Sequence, residues 1–172
     1  DLMSLVTSRW IGWGMTVTDL NQDKSDYVKK AYMANHFVYQ TVNFITTKAA
    51  RVPIRLYQKG KDSELKEIQK HPILDLLAKP NKYQGSEEFT NQVLGYKLIV
   101  GNSYIYTPKL EAGANMGKPY ELQSMPAHLV EIKNGRSWME PIGGYTIQYA
   151  PDVVFTPEEV IHMRYPAYDF DL

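Results

Sequence analysis

Residues 86–108 read SEEFTNQVLGYKLIVGNSYIYTP, and this stretch decides the fold. Ser86 is placed to cap a helix, because its hydroxyl can accept a hydrogen bond from a backbone N–H two or three residues later. Glu87 and Glu88 then put negative charge at the positive end of the helix dipole. The apolar positions recur at the spacing of one helix face: Phe89, Val93, Tyr96 and Val100. We therefore predict an amphipathic helix that begins at Ser86.

The same stretch contains the signal that ends this helix. Gly101 readily takes the left-handed conformation of a helix C-terminus, so Gly101 and Asn102 predict the end, with a positive φ at Gly101. Residues 103–107, SYIYT, are rich in β-forming side chains and predict a strand that starts at once. The stretch as a whole therefore predicts a helix–strand corner that holds a core together.

A helix, a strand and a polar segment are predicted before this corner. Asn35 is a good cap for a helix that runs to about Ala50, and Pro53 ends it because the residue before a proline avoids helical geometry. The buried stripe of this helix is expected to be Val38, Val42, Ile45 and Ala49. Residues 54–58 alternate and predict a strand, and residues 60–69 are expected to be a solvated loop or hairpin tip.

A short helix is predicted from His71 to Leu77. Pro72 lies in its first turn, where the missing N–H of proline costs no hydrogen bond. The dipeptide Pro80-Asn81 follows and stops it. With the helices that begin after Asn35 and at Ser86, the total is three.

The second half of the chain is dominated by strand signals, at residues 120–125, 128–133, 145–149 and 160–164. Asn134-Gly135 predicts a hairpin turn, because both residues tolerate positive φ. Residues 156–159, TPEE, form a capping box that opens a single helical turn. About six strands, mostly antiparallel and linked by hairpins, with three helices packed on them, predict the α+β class.

Composition sets the limits on what this chain can be. Its 172 residues suit one domain, which we place at residues 31–172, preceded by an extended N-terminal arm at residues 1–30. The 19 Lys plus Arg equal the 19 Asp plus Glu, so the net charge gives no indication of nucleic-acid binding. There is no Cys, which excludes disulfides and thiolate metal sites within this sequence. No uncharged apolar run approaches the ~18 residues of a membrane span. Both ends look cut, so we expect a segment of a longer protein.

Charge is unevenly distributed along the chain. Residues 31–101 have a net charge of +4 and residues 102–172 of −4, which is compatible with head-to-tail contacts between subunits or with mixed charges on one surface. Residues 48–82 are the most basic part and could touch phosphates through charge alone. Because no aromatic side chains are interleaved at regular spacing, a solvated face is the favoured interpretation of this basic part.

The predicted arm contains Trp10 and Trp13 among glycines. Large apolar groups seldom stay exposed together, so another surface must cover them. We predict that Trp10 and Trp13 contact a neighbouring subunit or a capsid surface, and the alternative is that they pack on the core of their own domain.

No motif predicts catalysis, a metal or a cofactor. The four histidines lack ligand spacing, no Gly-x-Ser-x-Gly elbow surrounds a nucleophile, and the glycine pairs lack the lysine and hydroxyl of a phosphate loop. His162 lies in the middle of a predicted strand and is expected to be a hydrogen-bonded histidine of the core or sheet face. We therefore predict that the protein is not an enzyme and needs no cofactor.

The order of five segments resembles the N-terminal part of the portal proteins of tailed double-stranded DNA phages, of the siphophage type. The first is the helix after Asn35 followed by Val52-Pro53-Ile54-Arg55-Leu56-Tyr57, and the second is His71-Pro72 through Pro80-Asn81. The other three are Gly101-Asn102-Ser103-Tyr104, Glu121-Leu122 through Pro126 and Val130, and Val160-Ile161-His162-Met163-Arg164. His36 and Ser103 depart from the family's common proline and alanine, and residues 1–30 match no family segment.

The resemblance implies a ring-shaped head–tail connector, usually of twelve subunits, at one capsid vertex of a virion assembled in the host cytoplasm. Residues 31–172 would then be the outer, wing-like domain of each subunit, and the stem and clip that line the channel would lie elsewhere in the protein. The implied partners are the major capsid or scaffold protein, terminase, a head–tail adaptor and double-stranded DNA, which would be contacted mainly by those other parts. No membrane is implied. Two alternatives remain at this point: a protein-binding α+β module of a cellular protein, or a small hydrolase that uses scattered His, Asp and Ser residues.

Overall fold

The computed structural model describes residues 28, 32–60, 64–113, 115–137 and 139–165. Three helices lie in this part of the chain: α1 (His36–Ala50), α2 (Pro72–Ala78) and α3 (Ser86–Val100). The first four strands are β1 (Leu56–Lys59), β2 (Leu65–Ile68), β3 (Asn102–Tyr106) and β4 (Gln123–Met125). The other four are β5 (Val130–Asn134), β6 (Ile142–Ile147), β7 (Ala150–Phe155) and β8 (Val160–Arg164). The predicted α+β class is confirmed. Trp10 and Trp13 lie outside the described residues, as does nearly all of the predicted arm.

The helix–strand corner forms where it was predicted. The φ of Gly101 is +77°, and its N–H donates to the Lys97 carbonyl at 3.1 Å, so the left-handed helix end is confirmed. β3 begins at the next residue. The predicted cap at Ser86 is wrong, because Gly85 occupies the N-cap position with extended geometry and Ser86 is already the first helical residue.

Every strand pair in the described chain is antiparallel, and the strands form three small sheets. The sheet orders are β1–β2, β4–β3–β8 and β5–β6–β7. The first and last are built from hairpins, although β2 and β7 were not predicted as strands. In the middle sheet β3 pairs with two strands that come much later in the chain. Hairpins therefore explain two of the three sheets, and long-range pairing explains the one that contains the corner.

Several predicted boundaries of the strands are wrong. Residues 65–68 form β2 rather than a loop, and the hairpin tip is closed by the Gly60 N–H, which donates to the Glu64 carbonyl at 2.9 Å. The strand predicted from Tyr120 begins only at Gln123, because the Leu122 N–H donates instead to the Pro80 carbonyl at 2.7 Å.

The Asn134-Gly135 turn has a different physical basis from the predicted one. β5 and β6 are joined by residues 135–141, a longer loop than a two-residue turn, and Gly135 is not among the described glycines with positive φ. A Cβ at Gly135 would overlap the Glu140 carbonyl oxygen. Glycine is therefore required there by close backbone approach. In the next turn Tyr149, predicted as a strand residue, is exposed.

The core lies along α3 and the strands that follow it. One cluster contains Val100, Tyr104, Met125, Ala127, Val130, Ile132, Tyr145 and Val160, and the other contains Phe89, Val93, Ile105 and Leu122. Apart from Pro80, every buried apolar side chain of the described residues lies at or after Phe89. α3 thus joins the two clusters through its predicted apolar face.

The predicted buried stripe of α1 is wrong at two of its four positions, since Val42 and Ala49 are half-buried. Val38 and Ile45 are exposed, and the buried residue of the helix is Thr46. The contacts between α1 and α3 include polar ones: Asn91 Nδ2 donates to Thr47 Oγ1 at 3.2 Å, and Arg51 Nε lies 2.9 Å from Glu87 Oε1. The spacing of apolar residues located a helix correctly but not the side of it that is covered. In the described chain, no helix is both long and apolar enough to cross a membrane.

Candidate functional site

The sequence-predicted site residues occupy three places in the fold. Asn35 and Pro53 flank α1, and His71, Pro72, Pro80 and Asn81 surround α2. The remaining five lie on the paired strands β3 and β8 or at the helix end before them: Gly101, Asn102, Tyr104, His162 and Arg164. This last group brings together motif residues that lie about 60 residues apart in the sequence.

The register of β3 and β8 places Tyr104 opposite His162 and Asn102 opposite Arg164. The rings of Tyr104 and His162 stack with centroids 4.4 Å apart. His162 Nε2 lies 2.9 Å from Asn102 Oδ1. Because an amide oxygen can only accept, Nε2 carries the proton and donates it. The prediction of a hydrogen-bonded sheet histidine is thereby confirmed.

Tyr145 on β6 completes this cluster and was not predicted as part of it. Its hydroxyl lies 3.4 Å from His162 Nδ1, within hydrogen-bond distance. The Tyr145 ring also meets the Tyr104 ring at 5.6 Å, so it joins two sheets. The alternation of Tyr145 and Ile147 along the sequence predicted a strand, but nothing in the sequence indicated which strand it would face.

Burial raises the pKa of both tyrosine hydroxyls in this cluster. Burial raises the pKa of the Tyr104 hydroxyl far above its ordinary value, and the nearby Tyr145 adds a smaller effect in the same direction. Burial also raises the pKa of Tyr145, opposed by the positive charge of Arg164. Both tyrosines therefore stay neutral at physiological pH and act as packing groups rather than as bases.

Asn81 organises the loop between α2 and α3. It is buried, its Nδ2 donates to the Leu122 carbonyl at 2.9 Å, and its Oδ1 accepts from the N–H groups of Tyr83 and Gln84 at 2.9 Å each. The Leu122 N–H in turn donates to the Pro80 carbonyl at 2.7 Å. The Pro80-Asn81 pair, predicted only as a helix stop, therefore fastens this loop to the segment that enters β4.

The helix caps among the motif residues have simple roles. Asn35 Oδ1 accepts from the N–H groups of Phe37 at 3.1 Å and Val38 at 3.3 Å, as predicted. His71 Nδ1 accepts from the Ile73 N–H at 3.2 Å, so His71 is the N-cap of α2 and Pro72 is its first residue. Each satisfies backbone donors that a helix start leaves unpaired.

An open cleft of about 690 Å³ lies beside the Tyr104–His162 cluster. Its lining comes from the loop after β5, from β6, from the turn before β8 and from β8, and includes Arg136, Glu140, Tyr145, Glu158, His162 and Arg164. Two arginines are balanced by two glutamates, so the cleft has no single-signed charge of the kind that holds a phosphate. Among the described residues, no three His, Asp or Glu side chains are grouped closely enough to hold a metal ion.

Comparison with protein families gives one match over most of the chain. The family model described as phage portal protein matches residues 36–171. An uncharacterized protein of Rickettsia bellii is 31% identical over 140 residues, which cover 74% of this chain and 34% of that protein. An uncharacterized protein of Rickettsia felis is 29% identical over 103 residues, which cover 60% of this chain and 24% of that protein. The chain thus spans about a third or less of the length of these relatives.

Solved structures with a similar fold come from gene transfer agent (GTA) particles. The neck of the empty particle, computed with C6 symmetry, is similar with a TM-score of 0.68 and 24% identity, over 83% of this chain and 37% of that one. The structure of the virion of the native particle is similar with a TM-score of 0.64 and 23% identity, over 83% of this chain and 35% of that one. The neck of the native particle, computed with C12 symmetry, is similar with a TM-score of 0.62 and 22% identity, over 83% of this chain and 35% of that one.

Proposed function

The chain belongs to the phage portal protein family, and on this premise we propose that it is part of a structural subunit of a ring-shaped portal at one capsid vertex. The ring is the conduit for DNA packaging and ejection, and the protein is located in the virion after assembly in the host cytoplasm. The observation that carries the proposal is the family match over residues 36–171. The α+β fold around the α3–β3 corner supports it.

The proposed ring contains twelve subunits. The structural relative with C12 symmetry supports this number, because that neck was computed as a twelvefold assembly. Its partners are the major capsid or scaffold protein, terminase and a head–tail adaptor. Double-stranded DNA passes through the channel and is contacted mainly by other parts of the protein. The balanced charge of the cleft beside His162 agrees with a wing that does not bind DNA strongly.

Residues 31–172 form the wing-like domain in this proposal, and residues 1–30 form an arm. The motif residues on β3, β8 and around α2 maintain the wing fold. Trp10 and Trp13 contact a neighbouring subunit or the capsid. Replacing both by Ala should leave the circular dichroism of the 172-residue chain unchanged and lower the yield of rings in sedimentation of the whole portal. Unfolding of the chain would identify them as core residues, and a normal ring yield would remove their assembly role.

The domain is proposed to have no catalytic centre. Its central histidine lies within hydrogen-bond distance of Asn102 and Tyr145. Replacing His36, His71, His128 and His162 by Gln, one at a time, should change only folding or assembly. Loss of a turnover reaction in a correctly folded variant would disprove this part of the proposal.

Electron microscopy of particles tests the main proposal. An antibody raised against the 172-residue chain should label purified particles at a single vertex, and an antibody against the major capsid protein should label the whole shell. Class averages of the isolated whole protein should show closed rings. Labelling over the entire shell, or protein that is found only outside particles, would contradict the proposal.

A further inference from the structure

α1 turns its largest apolar side chains away from the subunit. Thr46, on the covered side, is 1% exposed, whereas Phe37 and Phe44 are 79% and 65% exposed. The outer face of α1 consists of Phe37, Val38, Phe44 and Ile45. At about 100° per residue these four lie within one arc, in which Phe37 and Phe44 lie opposite Thr46 and Val38 and Ile45 lie about a quarter turn from it. Because exposed apolar clusters mark interaction sites, this face needs an occupant.

Lys48 places one positive charge on the outer face of α1, and the other basic side chains of this segment follow the helix. Residues 32–60 contain Lys48, Arg51, Arg55 and Lys59 and neither Asp nor Glu. Arg51 and Arg55 are paired within the subunit with Glu87 and Glu67. Lys48 lies over the Phe44 ring, with Nζ 5.7 Å from its centroid. An occupant of this face should therefore be apolar and acidic.

A second exposed surface of the same chain has this complementary chemistry. β6 pairs with β7 at Tyr145–Phe155 and at Ile147–Ala150. Between these two pairs β6 has one residue and β7 has four, so β7 contains three extra residues that form a bulge. We call residues 151–154 the β7 bulge. It exposes Val153 and Val154 next to Asp152. Residues 139–163 contain four acidic side chains and neither Lys nor Arg.

We propose that the outer face of α1 in one copy of the chain packs on the β7 bulge of a second copy, with Lys48 facing Asp152. The two patches differ, so the contact is heterologous and repeats from copy to copy, as a closed ring requires. Apolar side chains supply the buried area, and opposite charges set the orientation of the approach. The inference rests on the proposed ring and names the surfaces that would join its subunits.

Site-directed cross-linking tests this contact, and the chain is well suited to it because it contains no Cys. Phe44→Cys protein is mixed with Val153→Cys protein and treated with a short bismaleimide. A docked pair reacts at a raised effective concentration, so we expect at least about tenfold more mixed product than from a control mixture. The control pairs Tyr83→Cys with Val153→Cys, because Tyr83 is exposed but lies outside both patches.

The products distinguish the proposed contact from others. The Phe44→Cys, Val153→Cys double variant should give a ladder of higher oligomers. Phe44→Cys protein that links mainly to itself would show a two-fold contact between α1 helices and overturn the proposal. Mixed product no greater than in the control would also overturn it, and the outer face would then belong to another protein or another part of the parent protein.

A charge exchange provides a second readout. Lys48→Glu and Asp152→Lys should each lower the mixed cross-link severalfold, and combining Lys48→Glu in the Phe44→Cys protein with Asp152→Lys in the Val153→Cys protein should restore it. If the combined variants did not restore the mixed cross-link, the proposed Lys48–Asp152 pairing would be wrong. These results are independent of the particle labelling. Cross-links without single-vertex labelling would refute the portal assignment alone, and single-vertex labelling without cross-links would refute this contact alone.

Discussion

The part of the chain from Ser86 onward and the part before it use large apolar side chains in opposite ways. In the later part, α3 and β3–β8 cover Phe89, Tyr104, Ile132 and Tyr145 almost completely. In the earlier part, α1 and the β1–β2 hairpin leave Phe37, Phe44, Ile54 and Leu65 exposed. The difference shows that the buried core of the described chain lies in the later part, whereas the earlier part leaves its largest apolar side chains exposed.

The largest expected effect compares two phenylalanines, one from each part. Phe89→Ala should lower the free energy of unfolding by about 3–5 kcal/mol, because it opens a cavity in the core. Phe44→Ala should change it by no more than about 0.5 kcal/mol, because the side chain is exposed. Chemical denaturation of the two variants measures both values. Equal losses would show that α1 is covered within the monomer and would erase the contrast.

Asn81 tests how firmly the later part is tied to the loop before it. Asn81→Ala should cost about 1–3 kcal/mol of unfolding free energy, because it leaves the buried Leu122 carbonyl and two backbone N–H groups without their partner. Asn115→Ala is the matched control on an exposed loop, with an expected change within about 0.5 kcal/mol. A loss no larger than the control's would mean that the loop is not part of the core.

Gly101 tests the corner itself. No atom lies within 4 Å of a Cβ built at Gly101, so the cost of Gly101→Val is backbone strain at φ +77°. We expect a loss of about 1 kcal/mol or more in unfolding free energy. Gly95→Ala, in the interior of α3 with equally open space, should instead gain about 0.5–1 kcal/mol. Thermal melting of both variants should show shifts of opposite sign, and an unchanged midpoint for Gly101→Val would remove the argument.

The smallest expected effect is a pH dependence in the turn between β7 and β8. The Glu159 carboxylate accepts from the Thr156 N–H at 2.9 Å and from its hydroxyl at 2.7 Å, and these bonds hold its pKa below the ordinary 4.5. A lowered pKa in the folded state stabilises the fold above pH 4.5, and this contribution is lost as the pH falls below that value. Because Glu159 is only partly buried, solvent screening keeps the effect small.

Melting curves between neutral and acidic pH measure this contribution. The wild-type midpoint should fall slightly more on acidification than that of Glu159→Gln, in which the carboxylate is absent at every pH. Glu158→Gln is the matched control, on the neighbouring exposed residue. Identical acid dependence of Glu159→Gln and wild type would show that the capping box does not contribute to stability.

The sequence predicted much of the local structure and much less of the site. The caps at Asn35 and at the Thr156 turn, the left-handed end at Gly101 and the α+β class were all predicted and are confirmed. Tyr145 was missed, because its role depends on meeting His162 across two sheets. The outer face of α1 was predicted with the wrong side buried, since apolar periodicity identifies a face without identifying what lies opposite it.

Features that depend on neighbours within about four residues could be read from the sequence. Helix ends, caps and the α3–β3 corner are of this kind, because their hydrogen bonds and φ values are set locally. Three features became visible only in the tertiary structure. They are the register of Tyr104 with His162, the hydrogen bond from Asn81 to the Leu122 carbonyl and the exposure of Phe44. Pairing and burial depend on which distant segment faces a residue, and the spacing of apolar residues along the sequence does not identify that segment.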